Sequence, residues 1–359
     1  MKRLGKNEHL LDLIHQPAFT VMHGKIIHVN QAARALHIQE ETMIWHMLPF
    51  DQDAYANFKS GCLYLTVRIF DVDCGASITR NGKTDIFILD DPTGGDQLTA
   101  LALAGNHLRI PLSNLTAILD THFRCENMKD PETALHVAQL RKNIASINRM
   151  LINMCDSGVW TKKCVSRQTY NICVLFKEIM DKCSDLLSKK DIFIRYTYPD
   201  KPIYTQLNAE MLTRALYNMI SNAAKYSVLQ PMLEADLSLV DNKITISVQS
   251  PCCEIEQELF LNAFTNYLRK PSLEDSRYGI GLGMSFIRSA ALAHGGTVLI
   301  DQPDRDKIRV TMTMTVQPPK SSTTLHTHKV RLSNYAGGMD LALLELSEIL
   351  PVQCYNQKY

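Results

Sequence analysis

Two asparagines four residues apart, Asn218 and Asn222, stand in the stretch Leu212–Ser227, with Lys225 and Tyr226 directly after them. On a helix that spacing puts both amides on one face, with the lysine one turn further along. Asparagine lowers helix propensity, so an apolar helix that carries two of them needs a reason. Either they are buried amides that bond to neighbours, or they are ligands. An amide oxygen suits a hard cation that bridges phosphates. Further along, Gly279-Ile280-Gly281-Leu282-Gly283 precedes a helical stretch. Glycines let backbone N–H groups approach phosphate closely, and a helix that begins there presents its positive end. Together the two segments predict a site for a phosphorylated ligand.

The elements that must position these groups run from about residue 165 to 317. Helices are predicted near Gln168–Leu187 and Ala209–Tyr226, and strands at Ile192–Tyr198, Leu237–Leu239, Ile244–Val248, Thr297–Ile300 and Ile308–Val316. That pattern predicts an α/β sandwich, with helices on one face of a mixed sheet.

The asparagine segment resembles the N-box of the sensor histidine kinases, whose ATP-binding fold is shared with gyrase and its superfamily. The glycine run resembles their G2 box, His294-Gly295-Gly296 follows at the family distance, and Phe260–Phe264 resembles the F-box. The resemblance covers roughly 100 residues and implies nucleotide-binding roles for Asn218, Asn222, Lys225, Tyr226, Gly279, Gly281, Leu282 and Gly283. It implies ATP and Mg²⁺ as cofactors, with Asn222 as the Mg²⁺ ligand and Lys225 neutralising phosphate.

Between those motifs the pattern departs from the family. There a strand ends in Asp-x-Gly-x-Gly, whose Asp accepts a hydrogen bond from the adenine amino group. The alternation of Ile244, Ile246 and Val248 puts Ser250 at the Asp position, while Cys252 and Glu254 take the glycine positions. A lost charged hydrogen bond costs roughly 1.5–3 kcal/mol. The phosphoacceptor segment departs too. Gly105–Leu112 resembles the H-box, and when Leu108, Arg109, Pro111 and Leu112 are matched, the acceptor position falls on Asn106. An amide lacks the nucleophilic nitrogen of imidazole. The neighbouring His107, the remaining candidate acceptor, is turned about 100° around the helix.

The H-box lies in the first of two amphipathic segments. Thr99–Thr121 has Leu101, Leu108, Leu112, Leu115 and Leu119 in one stripe, with Pro111 predicted to interrupt or kink it. The second begins at Asp130-Pro131-Glu132, with Asp as cap and Pro in the first turn, and runs to about Cys155. Such a hairpin covers its stripe best against a second copy, which predicts a homodimer through a four-helix bundle.

Before the hairpin, short β-rich runs (Ala18–Met22, Lys25–Val29, Leu63–Phe70, Ile86–Leu89) alternate with turn signals at His23-Gly24 and Asn81-Gly82. The passage from Gly24 to Ala33 resembles the start of a PAS domain, which implies a sensory or dimer-forming module. After the sandwich, the Pro/Ser/Thr/His-rich stretch Gln317–Lys329 is predicted as a linker to a strand at Val330–Leu332, a Gly337-Gly338 turn and a docking helix from Leu341 to Ile349.

The expected fold class is therefore α+β multidomain. It comprises a PAS-like module at 8–92, a dimerisation hairpin at 97–158, a histidine-kinase-type ATPase domain at 165–317, and a linker with a C-terminal strand and helix at 318–359. Lys+Arg is 38 against 37 for Asp+Glu, so the global charge gives no argument for nucleic acid or an anionic membrane. No apolar run has membrane-spanning length. Scattered cysteines without metal spacing, and a start without a signal peptide's apolar core, predict a cytoplasmic protein.

Two functions follow from the resemblance. One is a sensor histidine kinase that phosphorylates itself and passes phosphate to a response regulator. The alternative is a catalytically inactive pseudokinase that acts as a dimeric signalling scaffold. Loss of both the acceptor histidine and the adenine Asp favours impaired transfer.

Overall fold

The computed structural model describes residues 11, 14, 16–90, 95–123, 130–159, 166–227, 232–252, 282–318 and 339–356, of which 95–104, 106, 107, 154–159 and 282 are described by backbone alone. Among the described residues the chain opens with β1 (Ala18–Met22) and β2 (Lys25–Val29), both where the sequence predicts them. Asn30 ends this hairpin and starts helix α1 (Gln31–Ala35). Its amide oxygen accepts from Ala33 N at 2.9 Å and Ala18 N at 3.0 Å, while its Nδ2 donates to the carbonyls of Ile14 and Gln16. One buried side chain thus caps the helix and fixes the chain that enters β1.

Helix α2 (Gln52–Ala56) precedes three antiparallel strands: β3 (Cys62–Ile69), β4 (Val72–Asn81) and β5 (Thr84–Leu89). The hairpin follows as α3 (Gly95–His122) and α4 (Pro131–Val159). Asp130 caps α4 as expected, accepting from Thr133 N at 2.9 Å. The expected interruption at Pro111 is corrected: α3 runs through it. A proline removes one N–H bond, Pro111 is exposed, and the turns on either side carry the helix across the gap.

Strand β6 (Gln168–Asn171) then leads into α5 (Ile172–Ser188). The helix predicted from Gln168 therefore starts four residues late, because Gln168–Asn171 pair with β8 and Asn171 caps the helix through Cys173 N at 3.1 Å. After β7 (Phe193–Thr197) and β8 (Tyr204–Leu207) comes α6 (Ala209–Tyr226), with the predicted bounds. Strands β9 (Met232–Val240) and β10 (Lys243–Pro251), helix α7 (Leu282–Ala293), and strands β11 (Val298–Asp304) and β12 (Lys307–Thr315) complete the sandwich. Along β10 the buried residues alternate, Ile244, Ile246, Val248 and Ser250, on the face that packs against α6. The predicted C-terminal helix is corrected to a short one, α8 (Leu341–Glu345), followed by turns and a 3₁₀ turn at Val352–Tyr355. The residues around α8 bury Leu341, Leu344, Leu346 and Tyr355 in the sandwich's own core. The predicted strand Val330–Leu332 and the Gly337-Gly338 turn lie outside the described residues.

Ten of the described strands join into one sheet, ordered β2-β1-β5-β4-β3-β11-β12-β10-β9-β7, while β6 and β8 form a separate two-stranded pair. The N-terminal sheet and the sandwich sheet meet where β3 pairs antiparallel with β11, Tyr64 opposite Val298 and Cys62 opposite Ile300. An open strand edge presents unpaired N–H and C=O groups, and each edge here covers the other. Asp90, just after β5, completes the joint: it accepts from Tyr64 Oη and from Arg288 of α7, at 3.0 Å for the latter, and Arg288 lies 4.9 Å over the Tyr64 ring.

Gly61 enters this joint at φ +91°, and a Cβ there would stand 2.0 Å from the Ile300 carbonyl oxygen. Gly82 also has positive φ (+64°), but a Cβ there meets nothing within 4 Å. Gly82→Ala should therefore cost only the left-handed backbone penalty, about 1 kcal/mol. Gly61→Ala adds a backbone clash and should lower stability by at least about 2 kcal/mol more. Equal losses for the two variants in urea unfolding would show that the β3–β11 joint is not held this closely.

Candidate nucleotide site

Helix α6 begins at Asn208, whose side chain accepts from Met211 N at 2.8 Å. His294 stands behind that cap: its Nε2 accepts from Asn208 N at 3.1 Å, and its Nδ1 faces the Ala290 carbonyl at 2.7 Å. Only the neutral ring with its proton on Nδ1 satisfies both contacts. The His-Gly-Gly segment thus anchors the start of the asparagine helix.

Three of the predicted residues, Asn218, Asn222 and Gly283, meet where α6 packs on the start of α7. A Cβ on Gly283 would lie 3.0 Å from Asn218 Oδ1 and 3.6 Å from Asn222 Nδ2. The third glycine of the run therefore packs directly against both asparagines, a contact that a larger residue would crowd. The two amides differ in their surroundings. Asn218 is fully buried, and its Nδ2 donates to the Arg214 carbonyl (2.9 Å) and to Glu345 (3.2 Å). Its oxygen accepts from Arg149 at 3.3 Å. Asn222 is partly exposed, with Nδ2 at 3.4 Å from the Met284 sulfur. Tyr226 is 37% exposed at the end of the helix.

Lys225 does not stand alone. Its Nζ donates to Glu348 at 2.7 Å, and Arg149 lies 3.4 Å from the same carboxylate oxygen. Burial by itself would raise the Glu348 carboxyl, but the charge of Arg149 and the hydrogen bond and charge of Lys225 hold it below its ordinary range. Deeper in, Glu345 is fully enclosed. It accepts from Arg214 Nε at 2.9 Å and from Arg149 Nε at 3.2 Å, and Arg214 also donates to Asn153 (2.9 Å) and stacks over Phe286 at 4.3 Å.

Ser250 lies near the end of β10 opposite Ile308, is 1% exposed, and its hydroxyl finds no hydrogen-bond partner among the described residues. Leu282 opens α7. Gly279, Gly281, Glu254 and Phe260–Phe264 lie outside the described residues. Asn106 and His107 lie within α3, where only their backbone is described. Among the described residues no cluster of three His, Cys, Asp or Glu side chains could hold a metal by itself. A Mg²⁺ here would take few protein ligands and the remainder from phosphate and water, the usual arrangement for that ion, and the Asn222 amide oxygen fits such a role.

The sequence reading missed Arg149, Arg214, Glu345 and Glu348. A signal existed for two of them. Arg214 shares the face of Asn218, one turn away, in an otherwise apolar helix, and Glu345 interrupts the run Leu341-Ala-Leu-Leu-Glu-Leu. Opposite charges on two apolar faces are natural partners once those faces pack.

Residues 208–322 match the family described as histidine kinase-, DNA gyrase B- and HSP90-like ATPase. The chain is 23% identical over 222 residues to the sensor histidine kinase YcbM of Bacillus subtilis, covering 58% of this chain and 68% of that one. It is 21% identical over 215 residues to the adaptive-response sensory kinase SasA of Microcystis aeruginosa, covering 57% and 55%. It is 31% identical over 96 residues to the sensor histidine kinase CusS of Escherichia coli K12, spanning 20% of that protein. Full-length ShkA in complex with AMPPNP aligns over 62% of this chain and 47% of its own with a TM-score of 0.50 at 17% identity, a likeness of fold. Among the described residues no helix is long and apolar enough to cross a membrane.

The His294 contacts carry a pH dependence. Burial lowers the ring's pKa, the bond to the Ala290 carbonyl offsets part of that, and Arg167 adds to the lowering. Below the unfolded value of about 6.5, the unfolded chain binds the proton more readily than the folded one. Stability from this group is therefore complete above about pH 6.5 and falls as the pH drops towards the lower folded value, by at most about 1.4 kcal/mol per pH unit. Urea unfolding between pH 5 and 8 should show this slope, and His294→Gln should flatten it. An unchanged slope in the variant would remove His294 as its source.

Proposed function

We propose that this chain, a member of the sensor histidine kinase family, binds Mg·ATP at the junction of α6 and α7 and serves two-component signalling with impaired phosphotransfer. The single observation that carries the nucleotide site is the packing of Gly283 against Asn218 and Asn222. It brings the glycine-marked start of a helix to the amide face that the family uses for the metal. In this reading Asn222 holds Mg²⁺, Lys225 and Tyr226 line the phosphate end, Gly279, Gly281, Leu282 and Gly283 supply the close backbone, and Ser250 stands at the base. Asn218 supports the site as a fully bonded amide.

A second reading, a scaffold that binds nucleotide without transferring phosphate, is favoured by Ser250 and Asn106. The Ser250 hydroxyl is enclosed and uncharged where the family places a carboxylate, so base recognition loses a charged hydrogen bond. Asn106 stands at the acceptor position, leaving His107 as the neighbouring nucleophile. We further assign 8–92 to a PAS-like module, 97–158 to a dimerisation hairpin, 165–317 to the ATPase domain and 318–359 to a linker with its docking tail. The protein would act in the cytoplasm, where ATP is at hand, with a response regulator as its partner.

Calorimetric titration with an ATP analogue should show binding that requires Mg²⁺ and is weakened about tenfold by Asn222→Ala. No binding at high micromolar concentration would overturn the nucleotide reading. With ATP labelled at the γ-phosphate, the first reading expects weak label on the chain that disappears in His107→Gln, and the scaffold reading expects none.

The hairpin leaves Leu108, Ile110, Leu115, Ile118, Leu135 and Leu140 about half or more exposed. Apolar residues that recur along two packed helices need a cover, and a second copy supplies the same stripe. Light scattering at micromolar concentration should give twice the chain mass, and Ile110→Asp with Ile118→Asp should halve it. A monomer before substitution would rule out the homodimer.

A further inference from the structure

The acidic tail end stands on the proposed nucleotide site. Glu345 and Glu348, three residues apart, both face the cations of α4 and α6. Their environments divide the work. Glu345 is enclosed between Arg149 and Arg214, and its neighbours Leu341, Leu344 and Leu346 are buried, so this part of the tail is an anchor. Glu348 sits at the rim with 30% of its side chain exposed, and its partner Lys225 is 10% exposed. A rim pair can exchange partners without undocking the anchor.

We propose that the segment from Met339 to Asn356 is an internal competitor for the phosphate end of the site, in which the Glu348 carboxylate occupies the Lys225 ammonium until a nucleotide phosphate displaces it. This rests on the nucleotide reading of α6 and α7 and adds its regulation. A carboxylate and a phosphate oxygen are alternative anionic partners for one ammonium, and the pair in place neutralises the charge that would otherwise attract phosphate. Arg149 extends the effect. It touches Glu345, Glu348 and Asn218 at once, so the competitor also ties the nucleotide helix to hairpin helix α4. Release of Glu348 loosens one of the contacts that hold the ATPase region against the hairpin. Any partner or modification that draws the tail end away would raise nucleotide affinity. By the reciprocity of coupled equilibria, nucleotide would in turn favour the released tail.

The test compares the full chain with Glu348→Gln, a rim substitution that keeps the size of the side chain. Titration with Mg·ATP should show about fivefold tighter binding by the variant, the effect of removing one partly exposed ion pair. In the unmodified chain, where folding of a variant is not in question, saturating Mg·ATP should speed deuterium exchange of the amides at 346–350. Equal affinities, or tail exchange that stays the same or slows, would overturn the competition while leaving the ATP site standing. Absence of Mg·ATP binding by both proteins would overturn the nucleotide reading and the competition with it.

Discussion

The Glu345 carboxylate, enclosed between two guanidinium groups, is the contact on which the relation of the parts depends. A charge with no exposure survives only when paired and hydrogen-bonded, and Glu345 takes donors from Arg149 in the hairpin and from Arg214 and Asn218 in the nucleotide helix. Removing one partner of such a group typically costs about 3–5 kcal/mol, because the others stay buried without compensation. Hairpin, sandwich and tail are thus locked by one group that tolerates little displacement. An apolar contact of the same area would let the parts slide. This one fixes their register, and with it the place of Glu348 over Lys225.

A second lock lies midway along α7. Arg288 donates to Asp90, which stands between the last N-terminal strand and the first hairpin helix, and the strand pairing of β3 with β11 holds the same region. Helix α7 therefore touches the asparagines through Gly283 at its start and the N-terminal module through Arg288 further along. The helix links the N-terminal module to the proposed nucleotide site through named contacts.

What the sequence disclosed follows from the range of each signal. Alternation in Ile244–Val248 and the cap at Asp130 are local, and they placed β10 and α4 well. Strand β4 was not legible, because Gly75, Asp73 and Asn81 weaken its β pattern; it is a strand because β3 and β5 supply ladders on both sides. Gln168–Asn171 failed for the same reason in reverse, a short polar run recruited by β8. The Arg149–Glu345 pair, 196 residues apart in sequence, has no local signature at all. The motif glycines and asparagines were legible as a site, yet their division into a fully bonded Asn218 and a partly open Asn222 depends on those distant charges.

Two features of the proposed site act in one direction. In the proposed site Ser250 would offer the base no charged acceptor, and Glu348 holds the Lys225 cation that would meet the phosphate. A ligand held at two ends loses affinity multiplicatively when each end is weakened, so on the proposed reading the resting chain would favour the empty site. The Gly283 contact with the asparagines leaves the packing of α7 on α6 fully formed. A formed site with affinity lowered at both ends, as proposed, would suit occupancy under control. The tail is the component of that control that the chain carries itself, and it acts at the phosphate end, where charge decides binding most strongly.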